Sequence, residues 1–296
     1  MTNESPSQTS GALYIGTAGW SYADWNGIVY PKKRGGGFHA LTWLQQWFNT
    51  VEINSSFYHP PQAKHAQSWV RLVSDNPTFQ FTAKLWERFT HHRHAWPSTA
   101  EIAQYKDGIA PLHDSGRLGA LLVQFPWSFR RTPENRIWLG KVVEEFSAYP
   151  LVVEIRHETW NIPEVYAGFR ERSIAFCNID QPIFKDSIEA SDHVTAPLAY
   201  VRFHGRNYDN WFREGAGQNE RYDYLYSEAE LAPWLAKLKH MQSQAKNVYV
   251  VTNNHFQGQA VVNALEIHTA MGGARHQLPE HLLAAYPRLK KVAEAP

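Results

Sequence analysis

The segment Leu198-Ala199-Tyr200-Val201-Arg202-Phe203-His204-Gly205-Arg206-Asn207 indicates a short buried strand that runs into a charged turn containing glycine. Side chains alternate along a strand, so Tyr200, Arg202 and His204 share one face and apolar residues occupy the other. An arginine on a buried strand is costly unless it is paired or lies at the mouth of a cavity. We therefore expect this strand to end at a cavity.

The same arrangement of polar groups two residues apart recurs in other short apolar segments. These segments are Val51-Glu52-Ile53-Asn54, Phe81-Thr82-Ala83-Lys84, Val153-Glu154-Ile155-Arg156 and Ala175-Phe176-Cys177-Asn178-Ile179-Asp180. Each places polar side chains on one face and apolar side chains on the other. We infer that the fold brings these strand ends together.

Composition favours a folded domain with a large core. The chain has 296 residues, of which 43% are hydrophobic and 19% are charged, so disorder is not expected. Its net charge of +1 gives no strong overall attraction for nucleic acid, although a local basic groove could still exist.

The single cysteine, Cys177, excludes an intramolecular disulfide and a CxxC metal site. A reducing, cytoplasmic compartment fits this composition best. Residues 1–11 are polar and lack the apolar run of a signal peptide, so we expect a disordered N-terminal tail. No segment approaches eighteen consecutive apolar residues, so we expect no membrane contact.

Eight strand-like segments alternate with helical patterns along the chain, which predicts a parallel sheet. Eight such units in 296 residues favour a single closed (β/α)8 barrel over an open doubly wound sheet. The G-x-G-x-x-G fingerprint of a dinucleotide fold is absent after the first strand. We therefore predict an α/β protein with one barrel domain over residues 12–286 and a C-terminal tail over 287–296.

Local signals mark several helix starts and one histidine-rich loop. Ser98 with Glu101 fits a capping box, and Thr132-Pro133 fits an N-cap followed by a proline at the first helical position. The run Thr90-His91-His92-Arg93-His94 does not have the spacing of a compact zinc site. A mobile lid or a solvated surface is the better interpretation of that run.

Several of these segments together resemble the DUF72 (YecE-like) family. The matching pieces are Ile15–Ser21, Val51–Tyr58, Phe81–Lys84, Leu122–Pro126, Val153–His157, Val201–Gly205 and Asn253–His255 with Ala260–Ala264. The resemblance covers about residues 12 to 270 and implies a TIM-type barrel. It implies little about activity, and a similarity to metal-dependent TIM-barrel nucleases or sugar isomerases is an analogy of fold alone.

In such barrels the chemistry lies at the carboxyl ends of the strands, where polar residues accumulate in this sequence. Carboxylates and a histidine there are the candidate catalytic groups: Glu52, Glu154, Asp180 and His204. The candidate substrate-binding residues are cations, amides and loop aromatics: Trp20, Asn54, Tyr58, Lys84, Gln124, Arg156, Arg202 and Asn254. Cations beside carboxylates suit an anionic small molecule that carries a phosphate or a carboxylate.

Alternatives remain open at this point. The strand ends could be closed by structural ion pairs, such as Glu154 with Arg202 or Glu52 with Lys84. We expect no metal cofactor, because the neighbouring cations already neutralise the carboxylates, although a divalent ion bound by carboxylates and histidines is conceivable. The function could be that of an enzyme on a phosphorylated or polyhydroxylated molecule, a nucleic-acid phosphodiesterase or binder, or a non-catalytic ligand-binding barrel. The sequence does not determine the oligomeric state.

Overall fold

The computed structural model describes residues 10–215 and 217–295. Its eight strands form a closed barrel in the order β1 to β8, and every neighbouring pair is parallel. The strands are β1 Ala12–Ala18, β2 Thr50–Ile53, β3 Gln80–Lys84, β4 Leu118–Gln124, β5 Leu151–Glu154, β6 Ala175–Asp180, β7 Leu198–Phe203 and β8 Asn247–Thr252. The predicted (β/α)8 barrel is confirmed.

Helices surround this barrel. They are α1 Ala40–Leu44, α2 Ser55–Tyr58, α3 Ala63–Leu72, α4 Glu87–Thr90, α5 Thr99–Asp114, α6 Pro133–Glu145, α7 Pro163–Glu171, α8 Gln218–Arg221, α9 Glu228–Gln244, α10 Gln259–Ala270 and α11 Glu280–Ala285. Short 3-10 helices are formed by Ala23–Trp25, Glu158–Trp160, Phe256–Gly258 and Pro287–Lys291. Among the described residues, none of these helices combines the length and the hydrophobicity that a membrane span requires.

The helix starts follow the local signals in the sequence. Ser98 accepts a hydrogen bond from the backbone of Glu101, whose side chain returns to the Ser98 backbone, so the predicted capping box is formed. Thr132 caps α6 ahead of Pro133 at its first turn. Each pairing satisfies backbone donors that a helix start leaves free.

One connection departs from a strict alternation of strand and helix. Residues 181–197, between β6 and β7, contain no helix. Side chains tie this segment to the barrel instead: Thr195 bonds the backbone of Ile174 and Phe176, and Asn178 accepts from Ser191 and the backbone of His193. These bonds hold the segment against β6 without a helix.

The lower part of the lumen is filled by aromatic rings. Tyr14 stacks on Tyr249 with their ring centroids 4.6 Å apart. A side chain at Gly119 would place its Cβ only 2.1 Å from the Tyr249 hydroxyl, so the absence of a side chain makes room for that ring. Below its carboxyl end, the barrel is therefore packed by side chains in the manner of a core.

The structure near the two chain ends can be compared with the predicted tails. Residues 1–9 of the predicted N-terminal tail lie outside the described residues, while the backbone of Gly11 bonds Gln242 of α9. The segment assigned to a C-terminal tail contains the 3-10 helix Pro287–Lys291, whose Leu289 side chain is fully buried. Gly11 and the 3-10 helix Pro287–Lys291 therefore pack against the rest of the domain.

Candidate functional site

Two glutamates and an arginine meet at the carboxyl ends of the strands. The Arg202 guanidinium on β7 binds Glu52 of β2 at 2.7 Å and Glu154 of β5 at 2.6 Å. All three side chains are at most 1% exposed. Because the three strands belong to one closed barrel, a single arginine reaches across the lumen to both carboxylates.

A second arginine and a histidine complete the pairing of Glu154. Arg156 approaches the same carboxylate at 2.7 Å, and His204 Nε2 lies 3.2 Å from it. The other ring nitrogen, His204 Nδ1, lies 3.0 Å from the Asn253 amide. We call Glu52, Glu154, Arg156, Arg202 and His204 the ion-pair network.

Hydroxyl groups support the network from below. The Tyr200 hydroxyl donates to Glu52 at 3.0 Å, and the Thr82 hydroxyl lies 2.7 Å from that of Tyr200. Both oxygens of the Glu52 carboxylate therefore have partners, as a buried carboxylate requires.

Burial and neighbouring charges determine the protonation states of Glu154 and His204. Burial alone would raise the pKa of the Glu154 carboxyl, but Arg202 and Arg156 together hold it well below its ordinary value. Burial, reinforced by Arg156, lowers the pKa of His204 to about 3. Near neutral pH, Glu154 is ionised and His204 is neutral.

A cavity of about 280 Å³ opens beside the network. Its lining combines amides, hydroxyls and aromatic rings with one ammonium group: Gly19, Trp20, Ser21, Tyr22, Asn54, Ser55, Tyr58, Lys84, Tyr222, Asn253 and His255. We call it the Lys84 cavity. Its volume suits a small molecule.

Lys84 is the charged group of this cavity. It ends β3 and is only 9% exposed, and its Nζ lies 4.0 Å from the centre of the Phe57 ring. Among the described residues, its ammonium group has no hydrogen bond or ion pair. Burial and the positive charge of Arg202 lower the pKa of Lys84 to about 7. This lysine can thus exist in either protonation state near neutral pH.

Two buried polar atoms on the cavity wall lack partners in the described part of the chain, namely Asn54 Oδ1 and His255 Nδ1. The His255 ring stacks on Tyr22 with centroids 4.4 Å apart, and burial lowers its pKa to about 4. Both atoms are sealed from solvent, and each lacks the hydrogen bond that a buried polar group normally makes.

The backbone at Gly19 shapes this wall. Gly19 has a φ of +77°, and a Cβ there would lie 2.7 Å from the Tyr22 hydroxyl. The Tyr22 hydroxyl in turn donates to the Ala18 carbonyl at 2.6 Å. Glycine at this position therefore allows the ring of Tyr22 to fold against the end of β1.

The predicted site residues fall into two groups. Trp20, Asn54, Tyr58 and Lys84 line the cavity. Glu52, Glu154, Arg156, Arg202 and His204 form the ion-pair network, and Gln124 approaches it with its Oε1 3.5 Å from Arg202. The expected pair of Glu154 with Arg202 is present, whereas Glu52 pairs with Arg202 and not with Lys84.

Asp180 does not join either group. Its carboxylate accepts hydrogen bonds from Arg206, Tyr226 and Trp234, the last a residue of α9. As predicted, the polar residues of β6 share one face of the strand. That face is turned towards the surrounding helices, so the predicted placement of Asp180 beside the other carboxylates is wrong. The neighbouring polar residue of that face, Asn178, likewise contacts Met241 of α9.

Asn254 is also turned away from the cavity. Its amide donates to the Tyr224 carbonyl and to Asn263 of α10, both within 2.9 Å. The flanking residues Asn253 and His255 line the cavity in its place. Asn254 therefore holds the loop after β8 rather than facing a ligand.

The histidine-rich loop contributes a residue that the sequence did not single out. His91 follows α4, and its ring packs edge-on against Phe57 at 5.0 Å. Burial and the charge of Lys84 lower the pKa of His91 to about 4. His91 is therefore a neighbour of Lys84, and the solvated surface expected for this run does not apply to it.

Metal binding finds no support in side-chain geometry. Among residues 10–215 and 217–295, no three His, Cys, Asp or Glu side chains converge as a metal site would require. Cys177 is buried and free, and burial raises the pKa of its thiol well above the ordinary value.

Comparison with known proteins identifies the family. A family described as "Protein of unknown function DUF72" matches residues 14–288. The chain belongs to the DUF72 family. The UPF0759 protein YunF of Bacillus subtilis is 30% identical over 272 residues, which cover 86% of this chain and 93% of that relative.

Solved structures of DUF72 members show the same barrel. A DUF72 family protein from Thermotoga maritima has a TM-score of 0.76 and 34% identity, covering 88% of this chain and 99% of that one. Another from Enterococcus faecalis has a TM-score of 0.75 and 26% identity, covering 88% and 95%. The family description assigns no activity, so the function has to be argued from the site.

Proposed function

We propose that this DUF72 protein is a cytoplasmic enzyme that acts on an anionic, phosphorylated or polyhydroxylated small molecule bound in the Lys84 cavity. The observation that carries the proposal is the state of Lys84, whose buried ammonium group lacks an anionic partner among the described residues. A buried charge of this kind is costly unless a counter-ion compensates it. A phosphate or carboxylate of a ligand would supply one.

The local charge balance supports an anion. The ion-pair network contains two carboxylates and two guanidinium groups, with His204 neutral, so its charges cancel. Protonated Lys84 adds one positive charge in excess. An anionic ligand would neutralise the region, whereas a cation would meet repulsion.

The lining also suits hydroxyl groups. The amides and hydroxyls of the wall, among them Asn54, Ser55 and Asn253, can hold a polyhydroxylated chain. Trp20 lies at the same wall, where its ring can cover the apolar face of a sugar.

Acid–base chemistry fits Lys84 better than the network residues. Glu154 and His204 were the expected proton carriers, but both are sealed, and the pKa of His204 is about 3. Lys84 has a pKa of about 7 and reaches the cavity. General acid–base catalysis works best when the pKa of the group lies near the working pH. In the proposal, Lys84 moves the proton, and the two arginines of the network help to keep its pKa low.

The experiment is calorimetric titration at low salt with phosphate, sulfate and a panel of sugar phosphates, followed by turnover assays on the ligands that bind. Wild type is compared with Lys84→Met and with Lys64→Met, which removes the same charge from an exposed position on α3. We expect wild type and Lys64→Met to bind and Lys84→Met to lose at least roughly tenfold in affinity.

Equal affinity in all three proteins, or no binding by wild type at millimolar ligand, would overturn the proposal. Tight binding without turnover of any bound ligand would contradict the enzymatic part and leave a ligand-binding barrel.

A further inference from the structure

Lys84 has the surroundings of a nucleophilic amine. It lies at the end of a barrel strand, faces a cavity and rests on the Phe57 ring at 4.0 Å. A lysine becomes nucleophilic when it is desolvated or lies near other cations, because both effects favour the neutral amine. Both conditions hold for Lys84, since Arg202 and Arg156 act on it.

The charged groups around Lys84 come from several elements. Glu52 of β2 and Glu154 of β5 favour the ammonium form, whereas Arg202 of β7 and Arg156 favour the neutral amine. His91, which follows α4, is neutral near pH 7 because its pKa is about 4. The carboxylates are already bound to arginines, so they do not hold the Lys84 ammonium group in place.

We propose that Lys84 forms an imine with the carbonyl carbon of a small 2-oxo carboxylate in the Lys84 cavity. The inference deepens the proposed function and rests on it, because the carboxylate of the ligand is the anion that the cavity is expected to hold. It adds a chemical class of substrate and a covalent role for Lys84.

The step is balanced without another reactant. The lone pair of the neutral Nζ attacks the carbonyl carbon, and the π electrons of the C=O bond move to oxygen. Both protons of the amine pass to that oxygen, the C–O bond breaks, and water leaves as the C=N bond forms. Protonation of the imine restores one positive charge beside the ligand carboxylate, and it draws electrons from the adjoining C–C and C–H bonds.

The choice of a 2-oxo carboxylate follows from the charge of the product. An iminium at Lys84 retains the positive charge that is in excess over the ion-pair network. A carboxylate on the neighbouring carbon lies close enough to compensate that charge directly. The amide groups of Asn54 and Asn253, which line the cavity, can donate hydrogen bonds to the remaining oxygens.

The test is reductive trapping with pyruvate and sodium borohydride at pH 7.5, read by intact mass and peptide mapping. We expect one reduced adduct per chain, located on Lys84, at a level at least roughly tenfold above that on the exposed Lys64. Lys84→Arg keeps the positive charge but cannot form the imine, so its adduct should disappear. Lys64→Met should be trapped like wild type.

Hydroxyacetone, an uncharged ketone, tests the role of the carboxylate. Several-fold weaker trapping with hydroxyacetone is expected, and equal trapping would contradict the carboxylate part of the inference. No adduct on Lys84, or equal labelling of Lys84 and Lys64, would overturn the imine.

The two proposals can fail separately. Binding of sulfate that depends on Lys84, without trapping of pyruvate, would leave the anion site and refute the imine. Trapping at Lys84 in a protein that binds no anion would support the nucleophile and refute the anion site.

Discussion

Two groups of buried charge lie side by side at the carboxyl ends of the strands, and they differ in how the charge is compensated. In the ion-pair network, each carboxylate meets a guanidinium group at 2.6–2.7 Å. In the Lys84 cavity, the ammonium group meets only an aromatic ring within the described chain. The network is complete without a ligand, whereas the Lys84 ammonium group leaves room for an anionic one, as proposed above.

The same comparison assigns different roles to residues of similar type. Arg202 is 1% exposed and bound to two carboxylates, so it acts as a positioning residue that joins opposite sides of the barrel. Lys84 is free to change its protonation state. Substitutions in the two regions should therefore affect different properties, with stability following the network and binding following the cavity.

The largest effect is expected for Arg202→Leu, which leaves Glu52 and part of Glu154 without a buried counter-ion. Removal of one partner from a buried ion pair costs about 3–5 kcal/mol. Urea denaturation should show that loss in the free energy of unfolding. The control Lys106→Met, which breaks a partly exposed pair with Glu145, should cost about 1 kcal/mol or less. A loss for Arg202→Leu no larger than that control would contradict a structural role for the network.

Asp180→Asn should have the next largest effect on stability. Its carboxylate accepts bonds from Arg206, Tyr226 and Trp234, and hydrogen bonds to a charged group contribute about 1.5–3 kcal/mol. We expect a loss in that range, measured by thermal and urea unfolding, with anion binding by the folded variant unchanged. Asp192→Asn, at a partly exposed pair with His240, is the matched control. Lost anion binding in folded Asp180→Asn would return Asp180 to the functional site.

The pH dependence of stability should report the lowered pKa of Lys84. Its pKa is about 7 in the folded protein against an ordinary value of 10.5, so the unfolded chain binds more protons between those limits. The contribution of Lys84 to stability therefore rises with pH across that window, with a limiting slope of about 1.4 kcal/mol per pH unit. Wild type should gain stability relative to Lys84→Met from pH 7 to 10. A constant difference between the two proteins would show that the Lys84 pKa is not lowered.

His204 should show a pH dependence of the same sign in a more acidic window. Its pKa is about 3 when folded and 6.5 when exposed, so the unfolded state takes up the extra proton between these values. Relative to His204→Gln, wild type should lose stability as the pH falls below about 6.5. In NMR titrations, the His204 ring should show no protonation step between pH 5 and 8. A step near 6.5 would mean that the ring is solvated and not enclosed by the network.

The sequence was sufficient for the barrel and for most of the network. Eight apolar segments with turn signals between them define parallel strands, and alternation placed Glu52, Glu154 and Arg202 on the face that turns out to be the lumen. Alternation alone could not decide which face of β6 points into the lumen. The outward direction of Asn178 and Asp180 is set by the packing of α9 against them, which is a tertiary contact.

The cavity was harder to predict than the strands. Tyr22, Tyr222, Asn253 and His255 lie on loops beyond the strand ends, where the period of a strand no longer fixes the direction of a side chain. Asn253 faces the cavity and the next residue, Asn254, does not. The side chain of Asn254 is instead held by hydrogen bonds to Tyr224 and Asn263. The lack of an anionic partner for Lys84 likewise depends on Arg202 binding both glutamates, which no sequence pattern reveals.

The most direct test of the central claim is proton uptake during sulfate binding. Calorimetric titrations at pH 8 in two buffers of different ionisation enthalpy measure the protons taken up per bound anion. Because the pKa of Lys84 is about 7, most of the amine is neutral at that pH, and an anion should draw a proton onto it. We predict an uptake approaching one proton per sulfate in wild type and in Lys64→Met, and none in Lys84→Arg. Sulfate binding by wild type without proton uptake would contradict the claim that Lys84 is the cation that holds the ligand.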